Sequence, residues 1–140
     1  MDGTTWAKMH GATVHFPIAL VLCSWALDGS ALLFSGLAIR RGLHSAGYWT
    51  LIVGAAGTVP AVVSGLVMTR GVMLGHDALR LHHLFAWPAF ALIVGLAAWR
   101  SFAPEFAARR EIAAYLAVAG FAGVLVSAAG YWGGEMLLAR

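Results

Sequence analysis

Charge is what this chain has least of. Only 11% of its 140 residues are Asp, Glu, Lys or Arg, against 61% hydrophobic residues, and its mean hydropathy is +0.81. A water-soluble domain of this length needs a polar surface, and so few charged residues cannot provide one. Three stretches hold no Asp, Glu, Lys or Arg at all: Gly47 to Thr69, Leu81 to Trp99 and Ile112 to Gly134. A fourth, Phe16 to Ile39, is interrupted only by Asp28. Each is close to or above the roughly 20 residues a helix needs to cross about 30 Å of hydrocarbon. With no water there to satisfy the backbone, the spans must be helical.

Other absences narrow the function. The one cysteine, Cys23, falls inside the first apolar run, which excludes a disulfide or a thiolate metal site within one chain and leaves packing as its role. No nucleophile–base arrangement, phosphate loop or pair of carboxylates suited to acid–base work is present, so hydrolase and transferase chemistry are set aside. The opening "MDGTTWAKMH" lacks a basic n-region, so the first span is expected to be retained rather than removed as a signal peptide. The sequence pI of 9.6 comes from basic residues at span ends. In a membrane protein that speaks to topology and lipid headgroups, not to nucleic acid.

The connections "RRGLHSAG", "RGVMLGHDALR" and "RSFAPEFAARRE" are too short to hold a soluble domain. The expected fold is therefore all-α: residues 1–140 as a single transmembrane domain, a four-helix up-down-up-down bundle with approximate spans 12–39, 46–69, 80–102 and 110–137. In that topology the start of helix 1, the end of helix 2, the start of helix 3 and the end of helix 4 share one side. That side carries Lys8, Arg70, Arg80 and Arg140, and the other carries Arg40, Arg41, Arg100, Arg109 and Arg110. The basic residues thus favour, by a small margin, a multi-pass protein with its N-terminus facing outward.

What the chain does have is histidine, unevenly placed. His10, His15, His76, His82 and His83 fall on the N-terminal side, and only His44 on the other. A solitary interfacial histidine is ordinarily bonded to a carbonyl or a headgroup, but five at one end of a small membrane bundle point to function. Small-residue stripes, along which membrane helices approach closely, run through His15, Ala19, Leu22, Ala26, Gly29, Leu33 and Gly36 in helix 1. In helix 2 the stripe is Gly54, Gly57, Ala61, Ser64 and Met68. In helix 3 it is His82, Ala86, Ala89 and Ile93, and in helix 4 Gly120, Gly123, Ser127, Gly130 and Gly134. On this reading His15 and His82 face each other across the bundle. The stripe favours His82 over His83, whereas Arg80 favours His83. Pro17 and Pro88 cannot donate to the preceding turn, so helices 1 and 3 should bend or start late near the histidines.

A heme fits this pattern. Its iron takes two imidazoles, its faces want apolar and glycine-lined walls, and its propionates want cations. His15 with His82 or His83 would be the axial pair, Gly130, Gly133 and Gly134 would make room, and Arg70 and Arg80 would steady the propionates. His10 and the other member of the His82/His83 pair leave a second heme b open, and His10 with His76 leave a quinone site open. A copper site built from Met9, His10, His15, Met68, Met73 and His76 is the metal-handling alternative, and a heme-free membrane anchor is the structural one. Asp28, with no charged partner in another span, reads as a packing carboxyl.

The run "HGATVHFPIAL" resembles the bacterial membrane-protein family called domain of unknown function 2231. That family has a His-Pro-x-x-x-His-Phe-Pro-Ile-Ala-Leu opening, an acidic residue later in helix 1, a histidine near the start of helix 3 and a Gly-Gly run closing helix 4. The matching positions are His10, His15, Phe16, Pro17, Ile18, Ala19 and Leu20, then Asp28, then His82 or His83, then Gly133, Gly134, Glu135, Met136 and Leu137. Gly11 departs from the usual proline. The resemblance implies a bacterial inner-membrane protein and supports fold and positions. The layout is also similar to small b-type cytochrome subunits, a likeness of fold only. The expectation is a heme b subunit that moves electrons between a quinone pool and a protein redox partner or other subunits of a larger complex, rather than an enzyme acting alone.

Overall fold

The computed structural model describes residues 3–34, 36–102 and 109–138, and they form four helices: α1 (Gly3–Ala31), α2 (Leu37–Met68), α3 (Asp77–Phe102) and α4 (Arg109–Leu138). All four are long and apolar enough to cross a membrane. The α1–α2 and α3–α4 hairpins are the most extensive interfaces, and α4 against α1 and α2 against α3 close the ring. This leaves α1 diagonal to α3, as the up-and-down topology predicts. The chain is a helical membrane bundle.

Neither Pro17 nor Pro88 delays its helix: α1 and α3 run on through them. Helix α2 ends in a tight turn in which the Gly71 N–H reaches Leu66 O at 2.8 Å and the Arg70 N–H reaches Val67 O at 3.1 Å. This paired closure is a Schellman motif. It holds Arg70 at φ 55° and Gly71 at φ 80°, and at Arg70 the left-handed backbone costs about 1–2 kcal/mol.

The stripe expected in α2 is largely inward, with Gly54, Ala61 and Ser64 buried. The one expected in α1 is not. Leu33 is 83% exposed and His15, Ala19 and Ala26 are exposed, while Pro17, Val21, Ser24, Asp28 and Ala31 are buried. Position by position the true inward face sits two residues on from the stripe, about 160° round the helix. The reason is polar: Ser24 and Asp28 need partners that lipid cannot give, and finding them sets the rotation of α1. In α4 the deepest face is Ile112, Tyr115, Ala119, Ala122 and Ala129. The glycines lie beside it and receive α1, since a Cβ at Gly120 would stand 3.2 Å from Trp25 Nε1 and one at Gly123 3.0 Å from Leu22. Ser127 and Gly130 are exposed.

Asp28 finds its partner in Arg100. The carboxylate has no exposed surface. Arg100 grips it with both terminal nitrogens, Nη2 at 3.0 Å from Oδ1 and Nη1 on Oδ2. His44 Nδ1 stands 2.9 Å from the same Oδ1. Arg100 also donates to His44 O at 2.8 Å and to Tyr115 Oη at 3.1 Å, and its guanidinium lies 5.1 Å from the Tyr115 ring centre. Beneath them Ser24 Oγ donates to Gly47 O at 2.7 Å. All four helices thus contribute to a single polar knot. The expectation that Asp28 lacks a charged partner in another span is corrected: the partner is the last cation of α3, one residue past its uncharged run.

Removing one member of a buried ion pair costs about 3–5 kcal/mol, because the other charge is left without compensation. Asp28→Asn should therefore lower the thermal midpoint in detergent sharply, and the double variant Asp28→Leu/Arg100→Leu should recover part of the loss. Equal midpoints for wild type and Asp28→Asn would remove the knot from the stability of the fold. Gly47→Ala should act in the same direction, since its Cβ would fall 2.8 Å from the Asp28 carboxyl. The same thermal scan reads it.

Candidate functional site

The other five histidines occupy the opposite end of the bundle. A cavity of about 370 Å³ opens there between all four helices, within the size range of ligand pockets. His10 and His15 from α1 and His82 and His83 from α3 line it, with Thr58, Ala61 and Gly65 of α2 and Gly130, Gly133 and Gly134 of α4. Pro17, Trp87, Phe90 and Ile93 complete a wall in which the histidines are the principal polar groups.

Each ring is held differently. His10 Nδ1 lies 3.0 Å from Ala61 O and 3.1 Å from Ser64 Oγ, both on α2. Thr13 Oγ1 donates to His10 O at 3.0 Å and lies 3.3 Å from Ser64 Oγ, closing a small α1–α2 network. His82 Nδ1 lies 2.8 Å from Ala129 O on α4, and His15 Nδ1 lies 2.5 Å from Gly11 O on its own helix. A carbonyl can only accept, so in these three rings Nδ1 carries the hydrogen and Nε2, when the ring is neutral, is left with its lone pair. His83 is the exception: it is 7% exposed, and its Nδ1 is buried without a partner.

Glycine makes this fit. A Cβ at Gly65 would stand 3.0 Å from His10 Cε1, and one at Gly133 3.4 Å from His82 Nδ1. A Cβ at Gly134 would meet nothing within 4 Å, so that glycine leaves open space. Across the diagonal the His10 and His82 rings stand 6.3 Å apart, centre to centre, at 82°. His82 and His83 are 5.6 Å apart. The partner that the structure brings to His82 is therefore His10. His15, expected in that place, is exposed on the cavity rim because α1 is rotated by Asp28 at its far end.

A family model described as predicted membrane protein, domain of unknown function 2231, matches residues 7–139. The chain belongs to this family. No curated protein and no solved structure matches it. Membership of the domain of unknown function 2231 family agrees with four membrane-spanning helices and assigns no activity.

The remaining candidates scatter. Arg70 and Arg80 are exposed at the histidine end and outside the cavity wall, and His76 is exposed in the α2–α3 connection. Met9 and Met73 are 41% and 57% exposed, so of the copper set only His10, His15 and Met68 reach the cavity. Cys23 is exposed on α1. Arg140 lies outside the described residues. The sequence reading missed Ser64 and the Ala61 and Ala129 carbonyls as holders of imidazoles. A small residue on a helix facing a histidine is the signal that would have suggested them.

Proposed function

We propose that the cavity is a heme b site in which His10 and His82 would hold the group, in a membrane subunit that carries electrons. The observation that carries this reading is the 6.3 Å separation of the two rings. Two imidazoles bound to opposite sides of one ion, each through a nitrogen at about 2 Å, would place their centres about 6 Å apart. Both rings also offer a bare Nε2, because each Nδ1 is engaged by a carbonyl. Such an outer hydrogen bond orients a ligating imidazole and raises its basicity.

A protein-only metal site has less support. Among the described residues no three His, Cys, Asp or Glu side chains are grouped to hold an ion, whereas a heme brings four nitrogens and asks the protein for two. Bound there, it would supply a one-electron couple at iron. The chain's own residues would do the rest. Gly65 and Gly133 admit the rings, Trp87, Phe90 and Ile93 keep water away, and Arg70 and Arg80 are cations available to propionates. Electrons would pass between a quinone pool and a protein partner, in a bacterial inner membrane with the histidine end outward.

The test is a reduced-minus-oxidised spectrum of purified chain from heme-sufficient cells, with pyridine hemochrome quantification. A b-type α band at about one heme per chain is expected for a single bis-histidine site. His10→Ala and His82→Ala should each lose most of the heme while still inserting, and His15→Ala should keep it. Loss in His15→Ala with retention in His10→Ala would move the ligand to His15. A flat wild-type spectrum would remove heme, and metal analysis would then separate a copper protein from a bare anchor.

A further inference from the structure

We propose that His83 is a hydrogen-bond donor to the ring oxygen of a lipophilic quinone whose head group enters the cavity beside Trp87. Choosing a redox-active ligand rests on the electron-transfer reading above; the need for a polar, lipid-soluble ligand does not.

Of the four histidines that line the cavity, only His83 has an Nδ1 that meets no carbonyl. His10, His15 and His82 all keep the hydrogen on Nδ1, facing a backbone acceptor. His83 Nδ1 is sealed from solvent and cavity alike and has nothing to donate to. A sealed N–H without an acceptor is among the rarest states in folded proteins, and a sealed lone pair is better tolerated. The hydrogen of neutral His83 therefore belongs on Nε2. His83 lines the cavity, so that N–H is offered to whatever enters. In this tautomer His83 has no open lone pair for iron, which separates it chemically from its neighbour His82.

The ligand's class follows from the surroundings. It would lie in a largely apolar cavity between four apolar spans, surroundings that suit a lipid-soluble molecule. It must carry an acceptor oxygen for His83. Beside that donor stands Trp87, whose ring is 6.2 Å from that of His83 and tilted by 35°, and whose own N–H is already committed to Met73 O at 2.8 Å. Trp87 can offer only its face, which suits a flat ring. A benzoquinone or naphthoquinone bearing an isoprenoid tail has all three properties.

The experiment is a titration of the purified chain in detergent with decylubiquinone and with menadione, followed by tryptophan fluorescence, with heme content measured on the same samples. Saturable quenching is expected. His83→Leu should weaken the affinity about tenfold, the worth of one hydrogen bond at the upper end of its usual range, with heme content and thermal midpoint unchanged. His83→Gln, which restores a donor, should recover most of the affinity. Unsaturable quenching in wild type, or equal affinity in His83→Leu, would overturn the proposal. So would loss of heme in His83→Leu, which would place His83 on the iron. A heme-free chain that still binds quinone through His83 would sink the heme reading alone, and a heme-loaded chain indifferent to quinone would sink this one alone.

Discussion

A carboxylate with no exposed surface in an apolar bundle is tolerated only when other groups of the protein replace the water it has lost, and Asp28 draws those groups from every other helix. Arg100 answers its charge, His44 takes one oxygen, Tyr115 supports the guanidinium, and Gly47 leaves the room in which the carboxyl sits. The desolvation cost of such a pair is repaid only by near-complete hydrogen bonding. Few rotations and registers of four helices can deliver it together. The knot therefore acts on the fold as a specification more than as a surplus of stability: it fixes which face of α1 looks inward, and from that follows which histidines do.

Between the knot and the cavity lies a belt of apolar side chains, Val21, Leu51, Ile93, Leu96, Ala119 and Ala122 among them. They are small or branched and closely packed, and no polar group links the two ends through them in the hydrogen bonds described. Among the described residues the bundle thus holds a hydrogen-bonded polar knot at one end and a histidine-lined cavity at the other. The rigid end holds the helix rotations, so the open end need not collapse on itself when its cavity is empty.

The helices and their order were legible because hydrocarbon imposes one rule, a long uncharged run that closes its own hydrogen bonds, and the sequence obeys it four times. The gathering of histidines at one end followed from counting short connections. What escaped was rotation. Small-residue stripes say where helices can approach, and α1 has small residues on more than one face: Ala19 and Ala26 look outward although they fit the stripe. Asp28 held the missing information, but Arg100 stands just past an uncharged run and reads as a topology-setting flank. Exchanging the roles of those two residues turns α1, moves His15 to the rim and brings His10 to His82. The difference between His82 and His83 was likewise hidden, because it depends on which carbonyl lies across the interface.

Those carbonyls carry the chemistry further than the histidines alone. Within hydrocarbon the abundant acceptors are backbone carbonyls of neighbouring helices, each already accepting one helical bond and keeping a second lone pair. A histidine that packs against such a carbonyl loses its choice of tautomer, since only an N–H can face it. At Ala61 and Ala129 the bundle makes that choice for His10 and His82 and leaves each neutral ring with its lone pair on Nε2. At His83 no carbonyl comes within reach, so burial makes the opposite choice. Two adjacent residues of the same type on one helix are thereby set differently, one with its Nδ1 against a carbonyl and the other with its Nδ1 sealed without a partner. No charged residue is needed to set either, which is how a chain so poor in charge can still build a polar site.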